Sequence, residues 1–326
     1  MKSVIAASVL ALMASTSAFA TDVDADISQF AIGIQEALND IEDVTKVKVG
    51  VQEAVNAANL VSKASAGNLD TILQKSAVEQ DAENSIESGY SWDWNWKKHK
   101  WEMERDYVTI DDVTQSATNV ANSVSLGDDD IPGTANVLDW IKQGAFVDQY
   151  ATNDIAVADT VLDVSQTAVN ASNLITVDLD APDLDKIEQV AVGDQDALNT
   201  IQFKKWIDGN ATVDGEVVPS TQDATNVINS VSVKSVNYTL AQFSAVDQKA
   251  RNVADSVGSN SNIWDFEQTA VNATNLVSID EIDVGLGISQ VAFVSQNASN
   301  LIDANGTVEA VVQSATNVAN SIGDMN

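Results

Sequence analysis

Two short motifs alternate along this sequence, six copies of each, and this repetition limits the fold more than any other feature. The A motif has the pattern Gln-x-small-x-x-x-Gln-x-Ala-x-Asn and first begins at Gln29. The B motif has the pattern Gln-x-Ala-x-Asn-x-x-Asn and first begins at Gln52. The motifs at Gln29, Gln52 and Gln74 start 23 and 22 residues apart, so longer gaps later in the chain are predicted to be loop insertions.

The spacing inside the A motif predicts β-strands. Seven alternate positions, from Gln29 to Ile41, hold similar residues in the six copies. A period of two places these residues on one face of a strand, whereas a helix would scatter them around its axis. The B motif shifts by one position between its two Asn residues, which predicts a bulge or a corner. We therefore predict an all-β fold, a β-solenoid of about twelve strand–turn–strand rungs of about 23 residues each.

The repeated face of these strands carries Gln and Asn. A buried and unpaired amide would cost about 1–3 kcal/mol, but identical amides stacked about 4.8 Å apart donate and accept hydrogen bonds along a ladder. We predict that these amides are structural ladder residues. In the A motifs they are Gln29, Gln35, Asn39, Gln74, Gln80, Asn84, Gln143, Gln149, Asn153, Gln189, Gln195, Asn199, Gln242, Gln248, Asn252, Gln290, Gln296 and Asn300. In the B motifs they are Gln52, Asn56, Asn59, Gln115, Asn119, Asn122, Gln166, Asn170, Asn173, Gln222, Asn226, Asn229, Gln268, Asn272, Asn275, Gln313, Asn317 and Asn320.

Composition argues against several classes of function. The chain has 48 Asp and Glu against 16 Lys and Arg, a net charge of −32 that repels nucleic-acid phosphate and anionic membranes. It has no Cys, so disulfides, thiolate metal sites and thiol nucleophiles are excluded. His99 is the only His, which argues against a His-based triad or a multi-His metal cluster. We expect a protein without enzymatic activity, cofactor or nucleic-acid partner.

Residues 1–20 have the pattern of a signal peptide, with Lys2, an apolar run and an Ala-Phe-Ala site ending at Ala20. Cleavage after Ala20 would leave one repeat domain at 21–326. No second apolar stretch of 18 residues follows, so no transmembrane span is predicted. We expect a secreted protein that is extracellular or lies at the cell surface.

The repeats resemble the curlin repeats of curli-type functional amyloids. The resemblance covers all twelve motifs and rests on the unit length, on Gln followed by a small residue, and on Asn at fixed offsets. Ala54 stands where curlin repeats have Gly, and Asn56 and Asn59 follow Gln52 by four and seven residues rather than five. The resemblance implies an exported β-solenoid subunit of an extracellular fibre. The ladder residues that it carries over are Gln29, Gln52, Gln74 and Gln115.

The ends of the repeat series favour assembly. The first motif begins at Gln29, eight residues after the predicted mature start at Thr21, and the last runs from Gln313 to Asn326 without a capping segment. Open ends of a solenoid expose unpaired backbone groups. The series begins with A and ends with B, so head-to-tail stacking preserves the alternation. We expect a head-to-tail homopolymer, with a secretion or nucleator protein as a further candidate partner.

The insertion at 88–110 differs from the rest of the chain in composition. Trp92, Trp94 and Trp96 alternate, and with Trp101 they are candidate residues for binding a glycan, a partner or an acidic neighbour in a fibre. The alternative is a protruding hairpin packed on its own solenoid.

Acidic clusters at Asp128–Asp130, at Asp178 with Asp180, and at Asp280 with Glu281 and Asp283 are candidates for weak Ca²⁺ binding, although no EF-hand loop is present. Solvated acidic loops that limit association are the other interpretation.

The sequence thus predicts a secreted structural subunit of an extracellular amyloid-like fibre, for a biofilm matrix or surface attachment. The first alternative is a monomeric β-solenoid adhesin or a surface-binding protein for ice or glycan. The second is a carbohydrate-active β-helix enzyme, which would need clustered acids with Arg or Lys on adjacent rungs. Basic residues are scarce in the motifs.

Overall fold

The computed structural model describes residues 25–44, 46–63, 69–88, 90–95, 100–105, 108–127, 137–178, 183–209, 211–213, 216–280 and 286–323. The predicted signal peptide at 1–20 lies outside the described residues.

The described chain consists of β-strands joined by short connections, and it contains no helix. In chain order the strands are β1 (Ala25–Val44), β2 (Lys46–Lys63), β3 (Leu69–Ser88), β4 (Tyr90–Asn95), β5 (Lys100–Arg105), β6 (Val108–Leu126), β7 (Val137–Val177), β8 (Asp183–Asp208), β9 (Ala211–Val213), β10 (Glu216–Val218), β11 (Ser220–Val233), β12 (Thr239–Ser256), β13 (Asn262–Ile279), β14 (Gly287–Asp303) and β15 (Val308–Gly323).

Strands with the same motif stack on one another in parallel and in register. Gln29 of the first A motif lies opposite Gln74 of the second. Gln52 of the first B motif lies opposite Gln115 of the second. The same pairing of like on like continues through the described chain. The predicted all-β solenoid is therefore confirmed.

The predicted number of rungs is wrong, because each coil contains two motifs. The stacked residues Gln29 and Gln74 are 45 residues apart in sequence, and Gln52 and Gln115 are 63 apart. Each A motif therefore stacks on the next A motif, and each B motif on the next B motif. A ladder requires like on like, and the alternation of A and B then makes the coil twice the predicted length. The described strands form six coils: β1 with β2, β3 with β6, β7 alone, β8 with β11, β12 with β13, and β14 with β15.

The A strands and B strands form two sheets that pack face to face, and the interior between them varies across its width. Its middle contains ladder amides and a column of Ala side chains, which allow the two sheets to approach closely. Its two margins are apolar. One margin contains residues such as Ile72 and Leu138, and the other contains Phe203 and Phe266. Each coil therefore combines a polar centre with hydrophobic turns.

The second Asn of every B motif has a left-handed backbone, with φ between 53° and 60°. Asn adopts this conformation more readily than most residues. The strand bends there, so Ala121 and Asn122 are consecutive and both buried, and the register skips the Asn. The bulge or corner predicted from the parity shift is confirmed. The six residues are Asn59, Asn122, Asn173, Asn229, Asn275 and Asn320.

A second left-handed column lies three residues before the Gln of the B motifs. Its φ values lie between 49° and 57° in five of the six coils, and Pro219 takes the equivalent position in the fourth coil. Three of the five residues are Asp, which adopts this conformation more readily than most residues, so the sequence contains a partial signal for this bend. The five residues are Val49, Asp112, Asp163, Asp265 and Ala310.

Gly193→Ala tests how closely the third and fourth coils approach. Gly193 has φ +137°, and a Cβ there would overlap the carbonyl oxygen of Val147 in the preceding coil. We expect the substitution to lower the free energy of unfolding by about 2 kcal/mol or more, measured by urea denaturation. Gly144→Ala is the matched control, because its new Cβ would meet only Lys75 Cγ, at 3.8 Å. Equal effects of the two substitutions would contradict the close approach.

Candidate functional site

All of the amides predicted as ladder residues lie in six continuous ladders that run the length of the solenoid. Each ladder has five side-chain hydrogen bonds, one per pair of neighbouring coils, with N···O distances between 2.6 and 3.0 Å. In the interior coils these amides are buried. The predicted ladders are confirmed, and they are the dominant polar feature of the interior.

The ladders have direction. The Nε2 of Gln74 donates to Oε1 of Gln29 at 2.8 Å, and all three Gln ladders donate in this way toward the first coil. The Nδ2 of Asn39 donates to Oδ1 of Asn84 at 2.8 Å, and all three Asn ladders donate toward the last coil. The two ends of the solenoid are therefore chemically different.

The amides also connect the two sheets. The Nδ2 of Asn122 donates to Oδ1 of Asn173 in its own ladder at 2.9 Å and to the carbonyl oxygen of Gly144 in the opposite sheet at 2.8 Å. Gln143 Nε2 returns a hydrogen bond to the carbonyl oxygen of Asn122 at 3.0 Å. The amide NH₂ groups thus link both a neighbouring coil and the facing strand, which satisfies polar groups that burial would otherwise penalise.

Both ends of the solenoid are open within the part of the chain that the structure describes. Strand β15 is exposed or half-buried throughout, whereas β11 and β13 in the same stack are buried at alternate positions. At the first coil, Gln29 Nε2 donates to the carbonyl oxygen of Leu60, in its own coil, at 3.2 Å. At the last coil, no described amide donates to Oε1 of Gln290 or Gln313. These edges are unpaired strands with unfinished ladders.

The outer face of the A sheet carries a column of carboxylates. Glu79, Asp148, Asp194 and Asp247 are register partners in four successive coils. Neighbouring strands lie about 4.8 Å apart, so like charges in such a column repel one another.

Burial and crowding raise the pKa of several other carboxyl groups. Burial raises the pKa of Asp81, and the carboxylates of Glu36 and Glu79 raise it further. Burial and Asp81 likewise raise the pKa of Glu83. On the B sheet, burial is the largest cause of the raised pKa of Asp223.

Glu188 behaves differently because two lysines bind it. Burial pushes its pKa upward, but the hydrogen bonds and charges of Lys186 and Lys142 together outweigh burial and hold the pKa below its usual value. The Nζ atoms of Lys142 and Lys186 lie 3.0 and 2.5 Å from its carboxylate oxygens.

The Trp-rich insertion forms an antiparallel hairpin of β4 and β5. In its register Trp94 lies opposite Trp101 and Trp92 lies opposite Met103. Trp96 lies outside the described residues. The backbone thus brings together three of the four candidate binding residues, whose binding role stays a prediction.

Within the described ranges, no group of three or more His, Cys, Asp or Glu is placed to hold a metal ion. Of the residues suggested for weak Ca²⁺ binding, Asp128–Asp130, Asp180, Glu281 and Asp283 lie outside the described ranges, so that suggestion stays a prediction. A search of the described segments finds no helix with the length and apolarity needed to cross a membrane.

No protein-family model, curated protein or solved structure matches this chain. The resemblance to curlin repeats therefore stays a prediction.

Gln149→Ala tests the contribution of an interior ladder position. It removes the acceptor of Gln195 and the donor to Gln80, leaving two buried amides with incomplete hydrogen bonding. We expect a loss of about 2–4 kcal/mol in the free energy of unfolding, measured by urea denaturation. Gln296→Ala, in the same ladder at the open end, is the matched control and should cost less than half as much. A larger loss for Gln296→Ala would contradict the ladder account.

The raised carboxyl pKa values predict that mild acid stabilises the fold. A carboxyl whose pKa is higher in the folded state binds more protons when folded, so stability rises as the pH falls through that pKa. We expect a higher urea midpoint at about pH 5 than at pH 7. The pKa of Glu188, which is lowered, acts in the opposite direction only near and below its unfolded value of 4.5.

Asp81→Asn should raise the midpoint at pH 7 and flatten this pH dependence. Glu53→Gln is the control, because it removes one charge from an exposed position on the other sheet and should change the midpoint less than Asp81→Asn does. A midpoint that falls steadily from pH 7 to pH 5 in the unmodified protein would refute the prediction.

Proposed function

We propose that the chain is a secreted structural subunit that stacks head to tail into an extracellular amyloid-like fibre of the curlin type, for biofilm cohesion or surface attachment. The observation that carries the proposal is the set of six directional amide ladders that end at two open edges. Each edge presents one edge strand from each of the two sheets and the unfinished end of every ladder.

Stacking one copy on another would extend the existing interactions without a new kind of contact. The first coil presents amide donors from Gln29, Gln35 and Gln52. The last coil presents the matching acceptor oxygens of Gln290, Gln296 and Gln313. Such a contact joins different surfaces of two copies and repeats indefinitely, which produces a filament. In this proposal the protein performs no chemical reaction, and its work is cohesion through stacking.

Export is the second part of the proposal. It rests on the signal-peptide pattern at 1–20, with cleavage after Ala20. A secreted subunit with open edges requires control of where stacking begins, so a secretion or nucleator protein is the expected partner.

A monomeric adhesin is the second candidate function. The hairpin of β4 and β5 favours it, because this element is outside the stacked sheets and carries Trp94 opposite Trp101. Paired aromatic residues on such a hairpin suit binding of a glycan.

The fibre proposal predicts that protein lacking residues 1–20 forms unbranched fibres. Electron microscopy should show the fibres, thioflavin fluorescence should rise with them, and fibre diffraction should give reflections at about 4.8 and about 10 Å. A protein that stays a dispersed monomer at high concentration would refute the fibre and favour the adhesin.

The double variant Gln290→Lys with Gln313→Lys is the control. Each Lys can still donate to the ladder oxygen of the fifth coil, in Gln242 or Gln268, but offers no acceptor to a second copy. We expect this variant to fold and to remain monomeric.

A further inference from the structure

The outward residues of the B sheet repeat with a period of two coils. In odd-numbered coils the outward positions around the second Asn hold Val, Ala and Leu, and in even-numbered coils they hold Thr, Val and Ser. In register, Leu60 lies beside Ser123, and Ser123 lies beside Leu174, so large and small side chains alternate down the stack. The Leu and Ser column consists of Leu60, Ser123, Leu174, Ser230, Leu276 and Ser321.

The A sheet repeats with a different period, of three coils. The fifth residue of the A motif, counting the first Gln as one, is Gly in the first and fourth coils and Val in the others. The fourth residue is Phe in the third and sixth coils. A buried Ser replaces Ala two residues after the first Gln in the second and fifth coils only. The fifth-position column consists of Gly33, Val78, Val147, Gly193, Val246 and Val294.

The contact between the third and fourth coils explains the glycine. Gly193 has φ +137° and leaves no room for a Cβ, because the carbonyl oxygen of Val147 occupies that space. Gly33 has nearly the same backbone, with φ +144°, but a Cβ there would meet nothing within 4 Å. The first coil therefore has the same local backbone at Gly33 as the fourth coil has at Gly193, but it has no preceding coil whose carbonyl oxygen would exclude a Cβ. A groove of about 260 Å³ lies at this edge and is lined in part by Ile32, Gly33 and Ile34.

We propose that the last coil of one copy docks in register on the first coil of a second copy, with Val294 over Gly33 as Val147 lies over Gly193. This inference rests on the proposed fibre and specifies its joint. Periods of two and three coincide only after six coils, which is the number described here. Docking the sixth coil on a first coil therefore continues both patterns. Phe293 would lie beside Ile32 as Phe146 lies beside Val192, and Ser321 beside Leu60 as Ser123 lies beside Leu174.

The charges agree with this joint. The column that holds carboxylates in the four interior coils holds Ile34 in the first coil and Ser295 in the last, so no carboxylates meet in that column across the joint. The next outward column places neutral Asn297 of the last coil beside Glu36 of the first. In these two columns the joint therefore adds no contact between carboxylates.

The direction of the ladders excludes the competing arrangement. Two first coils placed edge to edge would bring the Gln donors of one copy against the Gln donors of the other. Placed on a last coil, Gln29 donates to Oε1 of Gln290, and Asn320 donates to Oδ1 of Asn59. Six ladders then continue across the joint with the same polarity as within each copy.

Engineered disulfides test the register, since the chain has no Cys of its own. Ile34→Cys with Ser295→Cys places the two thiols in one column across the joint, with Cα atoms about 4.8 Å apart, within disulfide range. Oxidation of the assembled variant should give a series of covalent multimers on a non-reducing denaturing gel. Ile34→Cys with Asn297→Cys is the control and should give at least tenfold less cross-linking, because its Cα atoms are about 8 Å apart.

Gly33→Ala is the second test. It should destabilise the monomer less than Gly193→Ala does, because at Gly33 the only cost is the backbone strain of Ala at φ +144° and a Cβ there meets nothing within 4 Å. It should slow fibre elongation at least tenfold by filling the space for the carbonyl oxygen of Val294. Fibres that cross-link preferentially through the Asn297 pair, or that elongate normally with Gly33→Ala, would overturn this register while leaving the fibre proposal intact. Absence of any assembly in the unmodified protein would overturn both.

Discussion

The hydrogen bond between stacked carboxamides is the interaction on which this architecture depends. A buried Gln or Asn without partners costs stability, and a single coil satisfies its interior amides only in part, through bonds to the carbonyl oxygens of its facing strand. Placing an identical amide above and below each one removes that penalty and favours one register, because a shift of one residue turns the amides outward. Asn119, for example, accepts from Asn56 and donates to Asn170. The interior amides therefore favour parallel stacking with like residues in register. Because these amides also reach the opposite sheet, the two sheets must lie close together, and the small Ala side chains between them allow this.

Much of this fold could be predicted because a single chain repeats the same physical solution many times. Alternation from Gln29 to Ile41 predicted strands and the ladder face, and the parity shift at Asn59 predicted the bend. The two-motif coil was missed because the spacing of motifs does not say which copies touch. The alternation of A and B was the available signal, since a ladder requires like residues. The bend at Val49 and Ala310 had no signal in residue type, whereas Asp in three other coils, as at Asp112, was a partial signal that the motif analysis missed.

The ladder amides do not distinguish one coil from another, so by themselves they would accept many registers between copies. The period-two pattern on the outward face of the B sheet and the period-three pattern of the A sheet, which includes buried Ser and Val as well as Gly33 and Gly193, distinguish the coils from one another. The acidic column adds repulsion that favours separation at neutral pH. The hairpin of β4 and β5 lies between β3 and β6, within the second coil, and does not interrupt the stacking of coils.

The opposed directions of the Gln and Asn ladders have an electrical consequence. A row of aligned amide groups is a row of aligned dipoles, and in an α-helix such alignment accumulates into a macrodipole. Here three rows point toward the first coil and three toward the last, so their moments largely cancel. The backbone of a β-sheet adds only a small net moment. The amide rows would therefore contribute little polarisation to a stack of any length, and their dipoles would not accumulate at its ends as further copies were added.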